Sequence, residues 1–383
     1  MGERIIKHKV LNIMKNYYSE NWYEATDKFF KYAIKNGAVN WCACPKTKYD
    51  IPYVCIGKGD KKIVINSGIH GIEGYFGSAA QNLFLDNVAP ALTSKILDNY
   101  TIILIHVVNG WGMQHRMREV RDFSNGGLVD LNRNFGIDFN KPQNLPENLK
   151  YAQAHELLLS KPDKYKKTEA LKAFRKMHLK DGGWDAISYG QYYEPYGLFY
   201  GGCEPMLENR MVVSIYDNIV KDAKSLLSIG LHTGLGRFYR KAGMTTAQML
   251  VSHPSWHRNT RFFNDIFGRD IKVVPDESAI TGPNIQGDLV DCLENRYQIL
   301  KIPVYTADFE IGTGEFPIMS PIYKRMDMGD ARYELLHDGK IGNETWSNLT
   351  ESWYPTDKKW RESALLNAHK MFSALLKFLD KEK

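Results

Sequence analysis

His70 and Glu73 stand three residues apart in the stretch KIVINSGIHGIEGYFGSAAQ, which begins at Lys62. An imidazole nitrogen and a carboxylate oxygen at that spacing can converge on one cation. Zinc suits such donors, and a catalytic zinc takes three protein ligands while keeping its fourth position open. Two later residues complete the set on paper. His232 follows the apolar run Ser228 to Leu231, and Glu310 follows Ile302 to Phe309. Two imidazoles and one carboxylate make the ligand set of a hydrolytic zinc site. Zinc lowers the pKa of a bound water towards about 7 and polarises a carbonyl oxygen. Glu310 is then the free carboxylate that takes the proton from that water and passes it to a leaving nitrogen.

The elements that must position these groups follow from hydrophobic periodicity. Ile63 to Ile65 reads as a short buried strand, and Tyr75, Phe76, Ala79, Ala80 and Leu83 recur at helical spacing. Thr101 to Val108 is a second continuous apolar run, a central strand covered on both faces, stopping at Asn109-Gly110-Trp111-Gly112. Strand, helix, strand is the pattern of a parallel sheet. In such a sheet the carboxyl ends of the strands share one edge, so His70, Glu73, His232 and Glu310 can meet there. The loop from Met113 to Phe135 follows a strand end and carries Arg116, Arg118, Arg121, Asp130, Asn132 and Arg133. Such a loop is where α/β proteins place their sites.

The rest of the chain frames this centre. Residues 1 to 38 read as helical, and Tyr53-Val54-Cys55-Ile56 as a sheet-edge strand closed by a Gly57-Lys58-Gly59 turn. Residues 140 to 200 form an insertion, with helices at Tyr151 to Leu159 and Thr168 to Leu179 and a tyrosine-rich loop through Tyr189, Tyr192, Tyr193, Tyr196 and Tyr200. Met206 to Leu227, Trp256 to Phe267, Asp288 to Leu300, Ile322 to Leu336 and Arg361 to Leu379 read as helices, and Met249 to Ser252 as a strand. The expected fold class is α/β: a mixed, mostly parallel twisted sheet flanked by helices, with a helical and loop insertion. Residues 1–60 make an N-terminal helical and strand segment packed on the core, and residues 61–383 the catalytic domain with its insertion at about 140–200.

Composition narrows the class. A chain of 383 residues with 43% hydrophobic and 25% charged residues is ordinary for a folded soluble protein. The net charge of +6, from 50 basic against 44 acidic residues, is spread along the chain and gives no nucleic-acid footprint. No run is long enough to span a bilayer, and the amphipathic N-terminus lacks a signal-peptide core. Five cysteines in apolar or loop settings fit reduced thiols in the cytoplasm. The sequence is compatible with an oligomer.

The motifs SGIHGIEGYFGSAAQ, VDLNRNF (Val129 to Phe135), LHTGLG (Leu231 to Gly236) and FEIGT (Phe309 to Thr313) occur in this order. Together they resemble the M14-type zinc carboxypeptidase superfamily, most closely its DUF2817 branch, over about Lys62 to Gly314. The resemblance implies one zinc ion held by His70, Glu73 and His232, with Glu310 as the catalytic base. It implies Asp130 as the carboxylate that bonds the far nitrogen of His70, a partner that fixes the tautomer and raises ligand basicity. Asn132 and Arg133 match the pair that binds a substrate carboxylate, for which a guanidinium fork is the natural partner. An upstream arginine stabilises the oxyanion, and Arg118 and Arg121 both qualify, with Arg118 favoured. For a substrate-contacting tyrosine, Tyr297 and Tyr305 are the candidates.

Plainer readings stand beside these. His106 reads as a satisfied core residue, and Asp308, which alternates with Glu310, as a buried supporting acid rather than a catalytic one. His253 and His257 are four apart, but Pro254 between them argues against a second metal site. The sequence therefore describes a zinc metallohydrolase that cuts an amide bond next to a free carboxylate. Its partner is a peptide or an acylated amino acid. An N-acyl-amino-acid deacylase of the aspartoacylase or succinylglutamate desuccinylase kind is the alternative within this chemistry, and a non-catalytic carboxylate-binding module the alternative outside it.

Overall fold

The computed structural model describes residues 17–43, 48–141, 144–145, 147–163, 165–181, 187–239, 244–245, 247–251, 256–268, 271–275, 285–314 and 319–381. The chain opens with α1 (Trp22–Ala33), then β1 (Ala38–Cys42), β2 (Ile51–Gly57) and β3 (Lys61–Ser67). A 3-10 turn over Gly71–Glu73 leads into α2 (Gly74–Leu83), followed by α3 (Ser94–Asn99), β4 (Tyr100–Ile105) and α4 (Gly110–His115). A hairpin of β5 (Val120–Arg121) and β6 (Leu128–Val129) precedes a second 3-10 turn over Leu131–Arg133. The segment read as an insertion, residues 140–200, contributes α5 (Leu149–Leu158) and α6 (Lys166–Asp181) before α7 (Leu207–Val220) and β7 (Ser225–Tyr239). The last third contains β8 (Met244–Thr245), β9 (Ala247–Val251), α8 (Trp256–Phe267), β10 (Lys272–Pro275), α9 (Leu289–Tyr297) and β11 (Val304–Gly314). Three helices close it: α10 (Met319–Asp338), α11 (Asn343–Trp353) and α12 (Lys358–Lys381).

Among the described residues the main sheet runs β1-β2-β4-β3-β7-β11-β9-β10, with β8 paired to β7. Its centre, β4-β3-β7-β11, is parallel throughout. β1 and β2 extend one flank antiparallel, and β9 joins β11 antiparallel on the other. The central strands are apolar on both faces, as a parallel sheet covered by helices requires. Ile63, Ile65, Ile102 and Leu104 point into one core, closed by buried residues of α1, α2, α8 and α12. Val64, Ile103 and Ile105 point into the other, closed by α7, α9, α10 and the insertion. The mixed, mostly parallel sheet flanked by helices is thus the architecture of the protein.

Several boundaries differ from the periodicity reading. The helix expected over Met206 to Leu227 ends at Val220, and β7 already begins at Ser225, because Leu226, Leu227 and Ile229 are needed in the sheet core. β7 and β11 also run through His232 and Glu310 instead of stopping before them. β4 stops at Ile105, and β2 is an inner strand, since β1 takes the edge. α11 was not anticipated: its sequence NETWSNLTESW offers few apolar residues in helical register. No helix among the described residues is long and apolar enough to cross a membrane.

Candidate metal centre and its surroundings

The turn bearing His70 and Glu73 is built between β3 and α2 and is held from outside. Gly71 and Ile72 donate their amides to the carbonyls of Arg118 and Met117 at 3.0 and 2.9 Å. The segment that buttresses the turn therefore also carries Arg118. His232 and Glu310 come together for a different reason: they are register partners on neighbouring parallel strands β7 and β11. The 3-10 turn, β7 and β11 all contribute at the carboxyl edge of the parallel sheet, where open α/β sheets place ligands.

His70, Glu73 and His232 are all buried, and one ligand atom from each lies within 4.8 Å of the others. Both imidazoles turn Nδ1 towards Glu73. His70 Nδ1 is 2.9 Å from Glu73 Oε1, and His232 Nδ1 is 3.0 Å from Glu73 Oε2. Thr233 donates its amide to the same Oε2 at 2.9 Å. Both imidazoles turn Nε2 towards a second carboxylate, Asp130 Oδ1 at 3.2 Å from His70 and Asp308 Oδ1 at 3.6 Å from His232. Gly230 makes room for the latter. A Cβ there would lie 2.3 Å from Asp308 Oδ1 and 3.2 Å from His232 Nε2.

This donor set fits a divalent cation. His70 Nδ1 and Glu73 Oε1 are fully buried and close together, yet their geometry is not that of a hydrogen bond. Buried polar atoms left so are rare and call for a partner, an ion among the candidates. Charge points the same way. Despite burial, which opposes it, His70 and His232 hold the Glu73 carboxyl far below the ordinary carboxylate range. His232 is pushed up to about 10 against the pull of burial, chiefly by Asp308 and Glu73. Nitrogen and carboxylate donors, each imidazole backed by a second carboxylate, are those of a zinc site.

Glu310 lies beside this cluster without being one of the three. It is buried, and Leu235 donates its amide to Oε2 at 3.2 Å. Burial raises its carboxyl to about 8; His232 opposes the rise, while Glu73 and Asp308 add to it. Arg118 is buried too, paired with Asp130 Oδ2 and with Nε 3.8 Å from Glu73 Oε1. The charges of Arg118 and Arg133 hold Asp130 well below its usual range in spite of its burial.

Arg133 follows Asn132 in the 3-10 turn after β6. Its Nε and Nη2 both donate to the Ser188 carbonyl, at 2.9 and 2.6 Å, and Nη1 donates to the Asn132 carbonyl at 2.6 Å. Asn132 Oδ1 accepts the first amide of α9, from Leu289, at 3.0 Å. The tyrosine-rich loop of the insertion closes over the pair. Tyr192 donates its hydroxyl to the Arg133 carbonyl at 2.7 Å, and the Phe199 ring lies 5.5 Å from the Arg118 guanidinium and 5.6 Å from that of Arg133. Phe199 holds a left-handed backbone, φ 53°, uncommon for a bulky residue and frequent at sites that need a side chain aimed.

The structure thus brings His70, Glu73, His232, Glu310, Asp130, Arg118, Asn132 and Arg133 to one edge of the sheet, with Asp308 behind His232. It leaves Arg121 outside. That residue pairs with Leu128 in the β5–β6 hairpin, is exposed, and sets its guanidinium 5.9 Å from the Phe123 ring. Neither tyrosine candidate is there. Tyr297 donates to Asp217 Oδ1 at 2.9 Å, and Tyr305, five residues before Glu310 on β11, stacks on Phe262 at 3.8 Å. His253 and the side chain of His257 fall outside the described residues. Ser188, Phe199 and Trp353, whose ring lies 5.2 Å from the Arg118 guanidinium, carry no signal in the sequence, because only the fold of residues 140–200 and α11 brings them to the site. Cys55, Cys203 and Cys292 are free thiols, and Cys44 lies outside the described residues.

Comparison with known proteins speaks to the family and the fold. The profile of the family described as protein of unknown function DUF2817 matches residues 18–367. No curated protein matches the sequence. Among solved structures, bovine thrombin-activatable fibrinolysis inhibitor in complex with tick carboxypeptidase inhibitor aligns with a TM-score of 0.54 at 13% identity, over 95% of this chain and 98% of that one. Carboxypeptidase A from Helicoverpa armigera aligns at 0.49 and 12% identity, over 92% and 81% of the two chains. An aspartoacylase family protein from Mesorhizobium loti aligns at 0.39 and 12% identity, over 80% and 68%. The first of these likenesses shows a shared fold.

Proposed function

The chain belongs to the DUF2817 family, and we propose that it is a zinc-dependent hydrolase that cleaves an amide bond adjacent to a free carboxylate. The observation that carries this reading is the buried His70–Glu73–His232 cluster with a fourth, separately held carboxylate, Glu310, beside it. His70, Glu73 and His232 hold the metal, and Asp130 and Asp308 orient the two imidazoles from behind. When bound there, zinc supplies Lewis acidity to an amide carbonyl and acidity to a water molecule. Glu310 takes the proton of the attacking water and returns it to the leaving nitrogen. Burial and the neighbouring carboxylates raise its affinity for a proton, as taking one from water requires. Arg118, rather than the exposed Arg121, places a guanidinium where negative charge develops on the carbonyl oxygen. Asn132 and Arg133, clamped by Ser188 and α9, hold the substrate carboxylate. Free thiols at Cys55, Cys203 and Cys292 support a reducing compartment, the cytoplasm.

A mass-spectrometric screen of zinc-loaded protein tests the reading. The library holds peptides and N-acyl amino acids, each with a free and an amidated terminal carboxyl. Cleavage of the free acids and not of their amides is expected, and whether peptides or acyl amino acids react separates a carboxypeptidase from a deacylase. Equal cleavage of the amides would remove the carboxylate clamp from the proposal. No cleavage of any member, with zinc bound, would favour a carboxylate-binding module.

A further inference from the structure

We propose that Lys324 is a positioning residue for Glu310, acting through the single peptide group that joins Gly234 to Leu235. The inference rests on Glu310 being the base. Lys324 reaches in from α10 and is buried. Its ammonium donates to the Gly234 carbonyl and to Thr313 Oγ1, the latter at 2.6 Å, and sits 4.9 Å over the Trp353 ring. The Gly234 carbonyl and the Leu235 amide are the two ends of one peptide unit. That amide donates to Glu310 Oε2 at 3.2 Å. A cation on the carbonyl polarises the peptide, and a polarised peptide makes its N–H a stronger donor to a carboxylate. Lysine, peptide and glutamate therefore form one aligned chain.

The strand geometry explains why this peptide is free for the task. β7 and β11 pair Gly312 with Gly234, and then Gly314 with Arg237, so β7 carries an extra residue there. A bulge of this kind withdraws backbone groups from the ladder and re-aims them, and bulges recur beside active sites. Glycine is required at its start. Gly234 adopts φ +121°, and a Cβ there would lie 2.5 Å from Trp353 Cζ3. Thr313, the second partner of the ammonium, lies three residues beyond Glu310 on β11. The ammonium thus ties both strands together just beyond the base. A buried ammonium is costly unless it is paired. Apolar packing between a helix and a sheet needs no lysine, so the charge belongs to the bulge and to the carboxylates around it.

Two variants and two readouts test the proposal. Lys324→Met keeps the length of the side chain and removes the charge; Lys324→Arg keeps the charge. The best-cleaved member of the library above serves as substrate, and amide hydrogen exchange at Leu235 is followed in the zinc-free protein. Lys324→Met is expected to keep one zinc and a KM within about twofold, to lose about 10² in kcat, and to exchange Leu235 about tenfold faster. Lys324→Arg is expected to recover most of both losses. A folded Lys324→Met with unchanged kcat and unchanged exchange overturns the proposal, as does an arginine variant that restores neither. If Lys324→Met does not fold, Thr313→Val, which removes one of the two partners, should give the same kcat-only loss at smaller size, and no loss overturns the idea. Glu310→Gln with wild-type turnover would instead dismiss Glu310 as base, while the exchange measurement would still report on the peptide.

Discussion

His106 and His232 are both buried beside the same sheet, yet their surroundings push their affinity for a proton in opposite directions. His106, just beyond β4, stacks on Phe29 at 4.5 Å and meets Ser78 Oγ at 2.9 Å. Burial takes its pKa down to about 3. His232 is equally buried, and its Nδ1 and Nε2 face Glu73 and Asp308. There the carboxylates overcome burial and lift it to about 10. Desolvation alone strips the proton from an imidazole. The pull towards positive charge at His232 is therefore a property of the carboxylates arranged around it, and a bound cation satisfies it in place of a proton. The His106 site is core packing; the His232 site is chemistry.

The contrast can be broken or sharpened in order of expected effect. Glu310→Gln should lower kcat by about 10³ or more while one zinc stays bound, measured by single-turnover kinetics and metal analysis; near wild-type turnover would mean that the base lies elsewhere. Arg118→Met should cost about 10²–10³ in kcat, and Arg121→Met should change it by less than about twofold. Equal losses would erase the distinction between the buried and the exposed arginine. Asp308→Asn should weaken zinc binding by about 10–100-fold in a competition titration with a chelator, whereas His106→Gln should leave zinc affinity unchanged.

The smallest effect concerns stability. His106 has a folded pKa near 3, below the about 6.5 of an unfolded histidine. The unfolded chain therefore binds the extra proton between those values. The contribution of a neutral His106 is complete above about pH 6.5 and is lost as pH falls towards 3, by about 1.4 kcal/mol per unit. Urea melts from pH 7 to 4 should show wild type losing stability more steeply than His106→Gln by that amount. Parallel slopes would show that His106 has no share in acid sensitivity.

The parts of the centre carried by local pattern were legible in the sequence. His70 and Glu73 lie on a turn between an apolar run and a helical repeat, and His232 and Glu310 each follow an apolar run whose end a parallel sheet brings to one edge. Arg118 and Arg121 were harder. Alternation in the short β5 strand buries Val120 and turns Arg121 outward; Asn125-Gly126-Gly127 marks a turn, but two residues are too few to show a strand's alternation. Lys324 was illegible for a plainer reason: one lysine on a charged helix reads as surface until the fold places a bulge against it. Ser188 and Phe199 serve through a carbonyl and a ring face, and neither use leaves a mark on residue type. Trp353 was missed along with the helix that ends on it.

The parallel pairing of β3 with β7 has a consequence for how the protein is made. Ser67 is the register partner of Leu231, so neighbouring strands are far apart along the chain. During synthesis, a nascent chain that has exposed His70 and Glu73 must wait for the whole insertion and α7 before the third ligand emerges, and for β11 before Glu310 does. Contacts of such long range form late and slow folding. A half-made chain therefore lacks both His232 and Glu310, and the proposed centre is assembled only after translation has passed Glu310.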